Sequence, residues 1–421
     1  MDFATPGYCT WMSYLQSELD MPGEFVESKI KYYKMRREIY AKGGGGEVHL
    51  GVDPVSKQVV AIKKGYSKNR NRYGVSPTLI REIGMLKELM VYHHPNIVNL
   101  IDVFPHDGDL YLVEEYYPSY VQQYLLDNGT PFNECQIKFI LFSAAKALLF
   151  LKQRNIIHGD VKPANLLVSS FNSIALTDFG TSRRCDGNGS YTATRSCLST
   201  LYFNAPEILL GVKTLTVAAD VWSFALTWLR LLGVTFEGGN ETEITMCQTI
   251  FAFVGENPSE ATWPELKDVG FVPMAKTLPS VSLRDRLRRM IPDSLCSDEG
   301  VDLLCSLLKL NPADRLPIEQ VCLHSYFRDC IYDAVMRKEY EGKELFPNVA
   351  VLKQPMVLPP LLNDYLKRQR VTETSTMTEE DTSRVESHEV VNRVLQFDSE
   401  FLCSPMRESL VVTCNDNSIV L

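Results

Sequence analysis

Eight consecutive residues, His158-Gly159-Asp160-Val161-Lys162-Pro163-Ala164-Asn165, constrain this chain more than any other stretch. They set a carboxylate two residues before a cation and five before an amide. One short apolar run later, a second carboxylate stands in Asp178-Phe179-Gly180. A base, a cation and hard oxygen donors in this order are the equipment for moving a phosphoryl group from a metal-bound nucleotide to a hydroxyl.

The flanking pattern predicts what carries the loop. Gln136 to Gln153 is apolar and long enough for a core helix, and Val217 to Leu232 and Val301 to Leu310 read the same way. The loop therefore falls between a long helix and a short strand expected over Asn165 to Val168. Upstream, from Arg37 to Val113, the pattern is strand-rich, with strands expected at Val59 to Ile62, Asn99 to Val103 and Leu110 to Val113. One helix interrupts them. Ser76-Pro77 offers an N-cap and a first-turn proline, and Leu79, Ile80, Ile83, Leu86 and Leu89 recur at helical spacing up to a stop near Tyr92. A small β-rich part followed by a larger helical part is the order of a two-lobed nucleotide clamp.

Ala41-Lys42-Gly43-Gly44-Gly45-Gly46-Glu47-Val48 lies between two of the expected strands. A hairpin that covers phosphates needs backbone amides unobstructed by side chains, which glycine allows. Alone, a four-glycine run is more often a flexible turn; Val60-Ala61-Ile62-Lys63 downstream gives it meaning.

Composition bounds the rest. The 421 residues suffice for two packed lobes plus tails, and 45% hydrophobic with 23% charged residues describes an ordinary globular chain. A net charge of −9 argues against a nucleic-acid partner. Eleven cysteines without a C-x-x-C pair suggest reduced thiols in the cytosol or nucleus. The amino terminus lacks a signal-peptide pattern. Val217 to Val234 carries Asp220 and Arg230, so a buried core helix is expected there and no membrane insertion. Residues 1–33 read as an extension without a usable motif. Residues 328–421 read as a tail, largely disordered after 371, where Thr372 to Glu389 is dense in Thr, Ser, Glu and Asp.

Together these motifs resemble the eukaryotic protein kinases across residues 34–327. The resemblance implies an α+β, two-lobed fold, with a small β-rich N-lobe (34–116) holding one main helix and a larger α-helical C-lobe (117–327). It implies an ATP- and Mg2+-dependent serine/threonine kinase acting on a protein substrate. In that frame Lys63 holds the α- and β-phosphates and pairs with Glu82 of Ile80-Arg81-Glu82-Ile83. Asp160 orients the substrate hydroxyl and accepts its proton, while Lys162 stabilises charge on the transferring group. Asn165 and Asp178 hold magnesium. Lys162 and Thr200 look like serine/threonine rather than tyrosine kinases. The ATP site implied is Tyr40, Ala41, Lys42, Gly43, Gly44, Gly45, Gly46, Glu47, Val48, Ala61, Lys63, Glu115, Tyr117 and Leu167. His158 and Phe179 are expected to brace the loop. Asp220 is expected to accept backbone hydrogen bonds from it, and Glu207 of Ala205-Pro206-Glu207 to pair with Arg315.

Within the family, Ser76-Pro77-Thr78-Leu79-Ile80-Arg81-Glu82 is similar to the helix by which cyclin-dependent kinases dock cyclins. A cyclin-like activator on the Pro77–Met90 helix is one reading; the other is that Leu79, Ile80 and Ile83 pack within the lobe. Val103-Phe104-Pro105-His106, the catalytic loop and Trp263-Pro264-Glu265-Leu266 look most like the cell-cycle-related kinase branch, associated with cilia. The implied role is in cilium assembly or regulation, and the implied location cytoplasmic, with ciliary or nuclear sites as further options.

The chain also departs from the family. Ala41 replaces the first glycine, and Gly44-Gly45 replace a Thr-Tyr pair used for inhibitory phosphorylation. Gly159 stands where relatives carry the arginine that binds a phosphorylated activation segment, and Arg195 where they carry the phosphorylated threonine. These two losses agree, and they predict a segment that orders without phosphorylation. Asn204 replaces an arginine that favours proline after the target residue, and Glu114 replaces a bulky apolar residue behind the adenine site. A catalytically weak or inactive scaffold of the same fold is the alternative, but a scaffold has no reason to keep Lys63, Glu82, Asp160, Asn165 and Asp178.

Overall fold

The computed structural model describes residues 29–37, 39–43, 46–65, 76–107, 109–128, 132–169, 173–192, 200–236, 242–328, 330, 413–415 and 418–420. The first lobe is a five-stranded antiparallel sheet with one helix. Strands β1 (Ile39–Gly43), β2 (Gly46–Val52) and β3 (Val59–Gly65) precede helix α1 (Pro77–Leu89), and β4 (Leu100–His106) and β5 (Asp109–Glu115) follow it. Across the sheet the order is β1-β2-β3-β5-β4. Alternation along β3 sends Val60 and Ile62 into one apolar cluster with Phe104, Tyr111 and Val113. Ala61 and Lys63 thereby face the other side. The β2–β3 pairing brings backbones so close that a Cβ on Gly46 would lie 2.0 Å from the Lys64 carbonyl oxygen. The last glycine of the run is thus required by the sheet itself.

The outer face of this sheet is covered by residues 29–37, just upstream of it. Tyr33 is buried, stacks on Phe104 and donates its hydroxyl hydrogen to Asp102 Oδ2 at 2.9 Å. Lys29 Nζ bonds the same carboxylate at 2.9 Å, and the Val52 N–H donates to the Tyr33 carbonyl. One aromatic without periodicity gives no sequence signal for this strap.

Helix α1 has Pro77 in its first turn, as expected, but Ser76 makes no side-chain capping bond. The helix proper stops at Leu89, and a 3-10 turn, Met90–Tyr92, carries the chain to His93 in a left-handed conformation. Leu79, Ile83, Leu86 and Leu89 are buried and Ile80 packs against the same core. These apolar residues pack within the lobe.

The second lobe follows β6 (Ser119–Tyr120). Helices α2 (Val121–Asn128) and α3 (Glu134–Lys152) lead to β7 (Ile156–Ile157), β8 (Leu166–Val168), β9 (Ile174–Leu176), β10 (Arg183–Arg184) and β11 (Ser190–Thr192). Then come α4 (Pro206–Leu209), β12 (Thr214–Thr216), α5 (Ala218–Leu231), α6 (Glu243–Val254), α7 (Leu283–Met290), α8 (Asp298–Leu307) and α9 (Ile318–Cys322). Asn133 starts α3 with a capping box, its side chain accepting from the Gln136 N–H while the Gln136 side chain accepts from the Asn133 N–H. That cap moves the start two residues ahead of the apolar run, beyond what periodicity alone reveals. Asn165 belongs to a 3-10 turn, Pro163–Asn165, and not to the strand expected from it, because its N–H bonds back to the Lys162 carbonyl. α5 is buried almost throughout and α3 over most of residues 140–151, and together they form the floor under the 158–165 loop. In the tail the structure describes one antiparallel pair, β13 (Thr413–Asn415) with β14 (Ser418–Val420); Thr372 to Glu389 lies outside the described residues. Cys185, Cys247, Cys296 and Cys305 are unbridged thiols. Among the described residues no helix is long and apolar enough to cross a membrane.

Candidate active site

The loop between β7 and β8 is pinned from below. Asp220, buried on α5, accepts from the His158 N–H at 2.7 Å and the Gly159 N–H at 2.8 Å. Gly159 is left-handed (φ +79°), and a Cβ there would stand 3.3 Å from the Thr181 carbonyl oxygen. The backbone at this position therefore suits glycine and strains an arginine. His158 is fully buried, packs its ring edge-on to Phe179 and shares a 3.0 Å hydrogen bond between its Nε2 and the Thr177 carbonyl. Both residues brace the loop.

On that base the polar groups converge. Lys162 Nζ lies 2.6 Å from Asp160 Oδ2 and 2.6 Å from Thr200 Oγ1. Asn165 Nδ2 donates to the Asp160 carbonyl at 2.8 Å and to Oδ2 at 3.0 Å, and the Thr200 N–H reaches Oδ1 at 3.3 Å. Burial alone would raise the Asp160 carboxyl, but the Lys162 charge and hydrogen bond outweigh it and hold the group below its ordinary value. Asp160 is thus an ionised acceptor.

The second half of the site hangs from the sheet. Lys63 Nζ bonds Glu82 Oε1 at 2.5 Å, joining β3 to α1. Burial disfavours the Lys63 charge, yet Glu82, Asp178 and Glu114 around it raise its pKa and keep it an ammonium. Asp178 follows β9 in a left-handed conformation (φ +65°) and leads into the 3-10 turn Phe179–Thr181. The Thr177 N–H donates to the Asn165 carbonyl, so the two expected magnesium ligands lie on segments bonded to each other. α1 touches this turn directly, with Arg81 Nη1 donating to the Gly180 carbonyl at 2.7 Å.

Glu114 sits on β5 directly opposite Ala61, and opposite Leu100 on β4. It is buried, burial pushes its carboxyl up to about 7, and its Oε1 has no hydrogen-bond partner among the described residues. The Lys63 charge acts on it through the local field, opposing the rise.

The other residues expected around a nucleotide are partly assembled. Val48 pairs with Lys63 across β2–β3, and Leu167 on β8 pairs with Tyr120 and Ala175. Glu115 ends β5 and Tyr117 follows in the connection between the lobes. Ala41, Lys42 and Gly43 lie on β1, opposite Val48, Glu47 and Gly46 of β2; Gly44 and Gly45 lie outside the described residues. Tyr40 does something the sequence did not signal. Its hydroxyl donates to the Pro118 carbonyl at 2.7 Å and lies 3.2 Å from the Tyr116 hydroxyl, tying β1 to the lobe connection. No local pattern announces a contact across that many residues.

Lower in the second lobe, Arg315 Nη1 and Nη2 bond Glu207 Oε1 and Oε2 at 2.6 and 2.7 Å, both side chains buried.

Residues 35–327 match the protein kinase domain, and the chain belongs to the protein kinase family. More narrowly, it is cyclin-dependent-kinase-like. It is 34% identical over 310 residues to cell division control protein 2 homolog 3 of Trypanosoma brucei brucei, covering 70% of this chain and 92% of that one. It is 31% identical over 300 residues to cyclin-dependent kinase D-1 of Arabidopsis thaliana (71% and 72% covered), and 31% over 329 residues to probable cyclin-dependent kinase 10 of Dictyostelium discoideum (77% and 85%). The kinase fold is shared with the crystal structure of the yeast RNA Pol II CTD kinase CTDK-1 complex, at a TM-score of 0.59 and 23% identity over 70% of this chain and 92% of that one. These relatives make the chain a serine/threonine protein kinase.

Proposed function

We propose that this kinase transfers the γ-phosphate of ATP, with magnesium, to serine or threonine hydroxyls of protein substrates, and that Asp160, Lys162, Asn165, Asp178, Lys63 and Glu82 perform the work. One observation carries the reading: the Asp160–Lys162–Asn165–Thr200 network and the Lys63–Glu82 pair are both formed in the same structure. The donor set fits magnesium. Among the described residues no cage of three or more His, Cys, Asp or Glu side chains exists, and magnesium bound chiefly by phosphates needs only one or two protein oxygens. Asp178 supplies a carboxylate. Asn165, its amide nitrogen committed to Asp160, has its oxygen left for the ion. A magnesium ion held by Asp178 and Asn165 would supply positive charge against the phosphates. The base lies between Val48 and Ala61 above and Leu167 below, with the backbone of Glu115 and Tyr117 along its edge. Lys63 binds the α- and β-phosphates, Asp160 accepts the hydroxyl proton, and Lys162 offsets charge on the group in transfer.

The test is phosphate transfer from labelled ATP to a degenerate Ser/Thr peptide library with magnesium. Wild type should transfer, and Asp160→Asn should lose at least about 100-fold while still binding nucleotide. Nucleotide binding without transfer by wild type, alone or with candidate activators, would support the scaffold reading instead, to which Gly159, Asn204 and Glu114 lend weight. A cyclin-like activator on the exposed edge of α1, a place in the cell-cycle-related branch and a role at the cilium are further parts of the proposal. Fluorescent tagging of the full chain in ciliated cells reads the last; exclusion from the cilium under all growth states would remove it.

A further inference from the structure

Glu114 is 7% exposed and flanked across the sheet by Ala61 and Leu100. A buried acceptor without a donor is costly, so its presence in the cleft calls for a donor from elsewhere. The described residues do not supply one to Oε1, and the Lys63 ammonium bonds Glu82. Strand alternation puts Ala61, Lys63 and Glu114 on one face of the sheet. Ala61 marks the base end of the proposed nucleotide site and Lys63 the phosphate end. The Glu114 carboxylate therefore stands at the inner side of the base, where an N–H donor on its edge points into the lobe.

We propose that Glu114 makes the inner end of the cleft an acceptor for the exocyclic amino group of a 6-aminopurine, so that a side chain, beyond the backbone at Glu115 and Tyr117, selects adenine over 6-oxopurines. The proposal rests on the nucleotide-cleft reading above. A 6-oxopurine brings an acceptor against an acceptor and leaves the buried carboxylate unpaired, which is how a polar site rejects a near-isostere. The position occupied by an apolar side chain in the resembling family would have no such preference.

The test compares the full-length chain as wild type, Glu114→Gln and Glu114→Leu. Equilibrium binding of ATP, inosine triphosphate (6-oxo) and purine riboside triphosphate (no 6-substituent) is measured with magnesium at pH 8, above the value of about 7 to which burial pushes Glu114. Wild type should prefer ATP over both analogues by about tenfold or more beyond the preference of the Leu variant. Glu114→Gln, whose amide donates as well as accepts, should narrow the ratio by binding the 6-oxo nucleotide better. Melting curves first establish that the variants fold, and with two variants of opposite chemistry one failure to fold leaves the other as the test. Equal ATP-to-inosine ratios in wild type and the folded variants would overturn this inference while leaving the nucleotide reading intact. Absence of binding by every nucleotide to wild type would overturn both.

Discussion

At the scale of single residues, Glu114 couples the site to the stability of the lobe. Its carboxyl is pushed up from an ordinary 4.5 to about 7, by burial first and by the neighbouring carboxylates Glu82 and Asp178, against the opposing pull of Lys63. Between those two values the folded protein binds more protons than the unfolded chain, so this group's contribution falls as pH rises from about 4.5 through 7. A displacement of this size corresponds to at most about 3 kcal/mol. Glu114→Gln removes the titration, and its melting advantage over wild type should widen from pH 5 to pH 8; a constant gap would mean the carboxylate is not desolvated. The Glu207–Arg315 pair is the opposite case, two charges fully matched by a bidentate contact and by the Ala218, Lys309 and Leu310 carbonyls around the guanidinium. Removing one partner strands the other in the core, so Arg315→Ala should lose roughly 3–5 kcal/mol in urea unfolding. Which residues were legible follows the same physics. Asp160, Lys162, Asn165 and Asp178 lie within one loop and its neighbour, so spacing alone exposes them. Glu114 stood out as a charge in an apolar run, but only the strand register showed it facing the cleft without a donor.

At the scale of elements, two contacts bind pieces of chain that look independent in sequence. Tyr33 brings residues 29–37 onto the first-lobe sheet, where it is buried in one apolar cluster with Phe104 and Tyr111. Tyr33→Ala removes a stacked ring and the hydroxyl bond to Asp102, and should cost about 3 kcal/mol, read as a fall in the urea midpoint. No change would mean that the strap is peripheral to the lobe. At the mouth of the cleft, Tyr40 bonds the Pro118 carbonyl and meets the Tyr116 ring at 5.7 Å. Tyr40→Phe keeps the ring and drops the tie, which is worth about 1 kcal/mol. Release of a fluorescent ADP, followed by stopped flow, should therefore speed up about fivefold; an unchanged rate would show that the tie opens without cost. Periodicity found α1, which buries a regular stripe, and apolar runs found α3, α5 and β3. It missed the strap and the tie because these depend on partners about 70 residues away or more, for which no local pattern exists.

At the scale of the molecule, α1 joins the two halves of the site. It carries Glu82 to Lys63, holds the Gly180 carbonyl through Arg81, and through Glu88 pairs with Arg184 just beyond the turn. In the resembling kinases an arginine at the position of Gly159 binds a phosphorylated activation segment. Here Gly159 lacks the side chain and has a backbone unsuited to one, while Arg183 Nη1 donates to the Thr181 and Ser182 carbonyls. Arg81 and Arg183 thus both bond backbone carbonyls of the turn at residues 180–182. Arg195 adds a positive charge to the sequence between Thr192 and Thr200 without modification. The expected outcome is that phosphatase treatment of the full-length protein leaves peptide phosphorylation within about twofold of the untreated value, whereas Arg81→Ala, which loosens α1 from Gly180, lowers kcat about tenfold in both preparations. A tenfold loss on phosphatase treatment, restored by rephosphorylation at Thr192, Thr194 or Ser196, would return this kinase to phosphate control and leave the Gly159 backbone as a local feature alone.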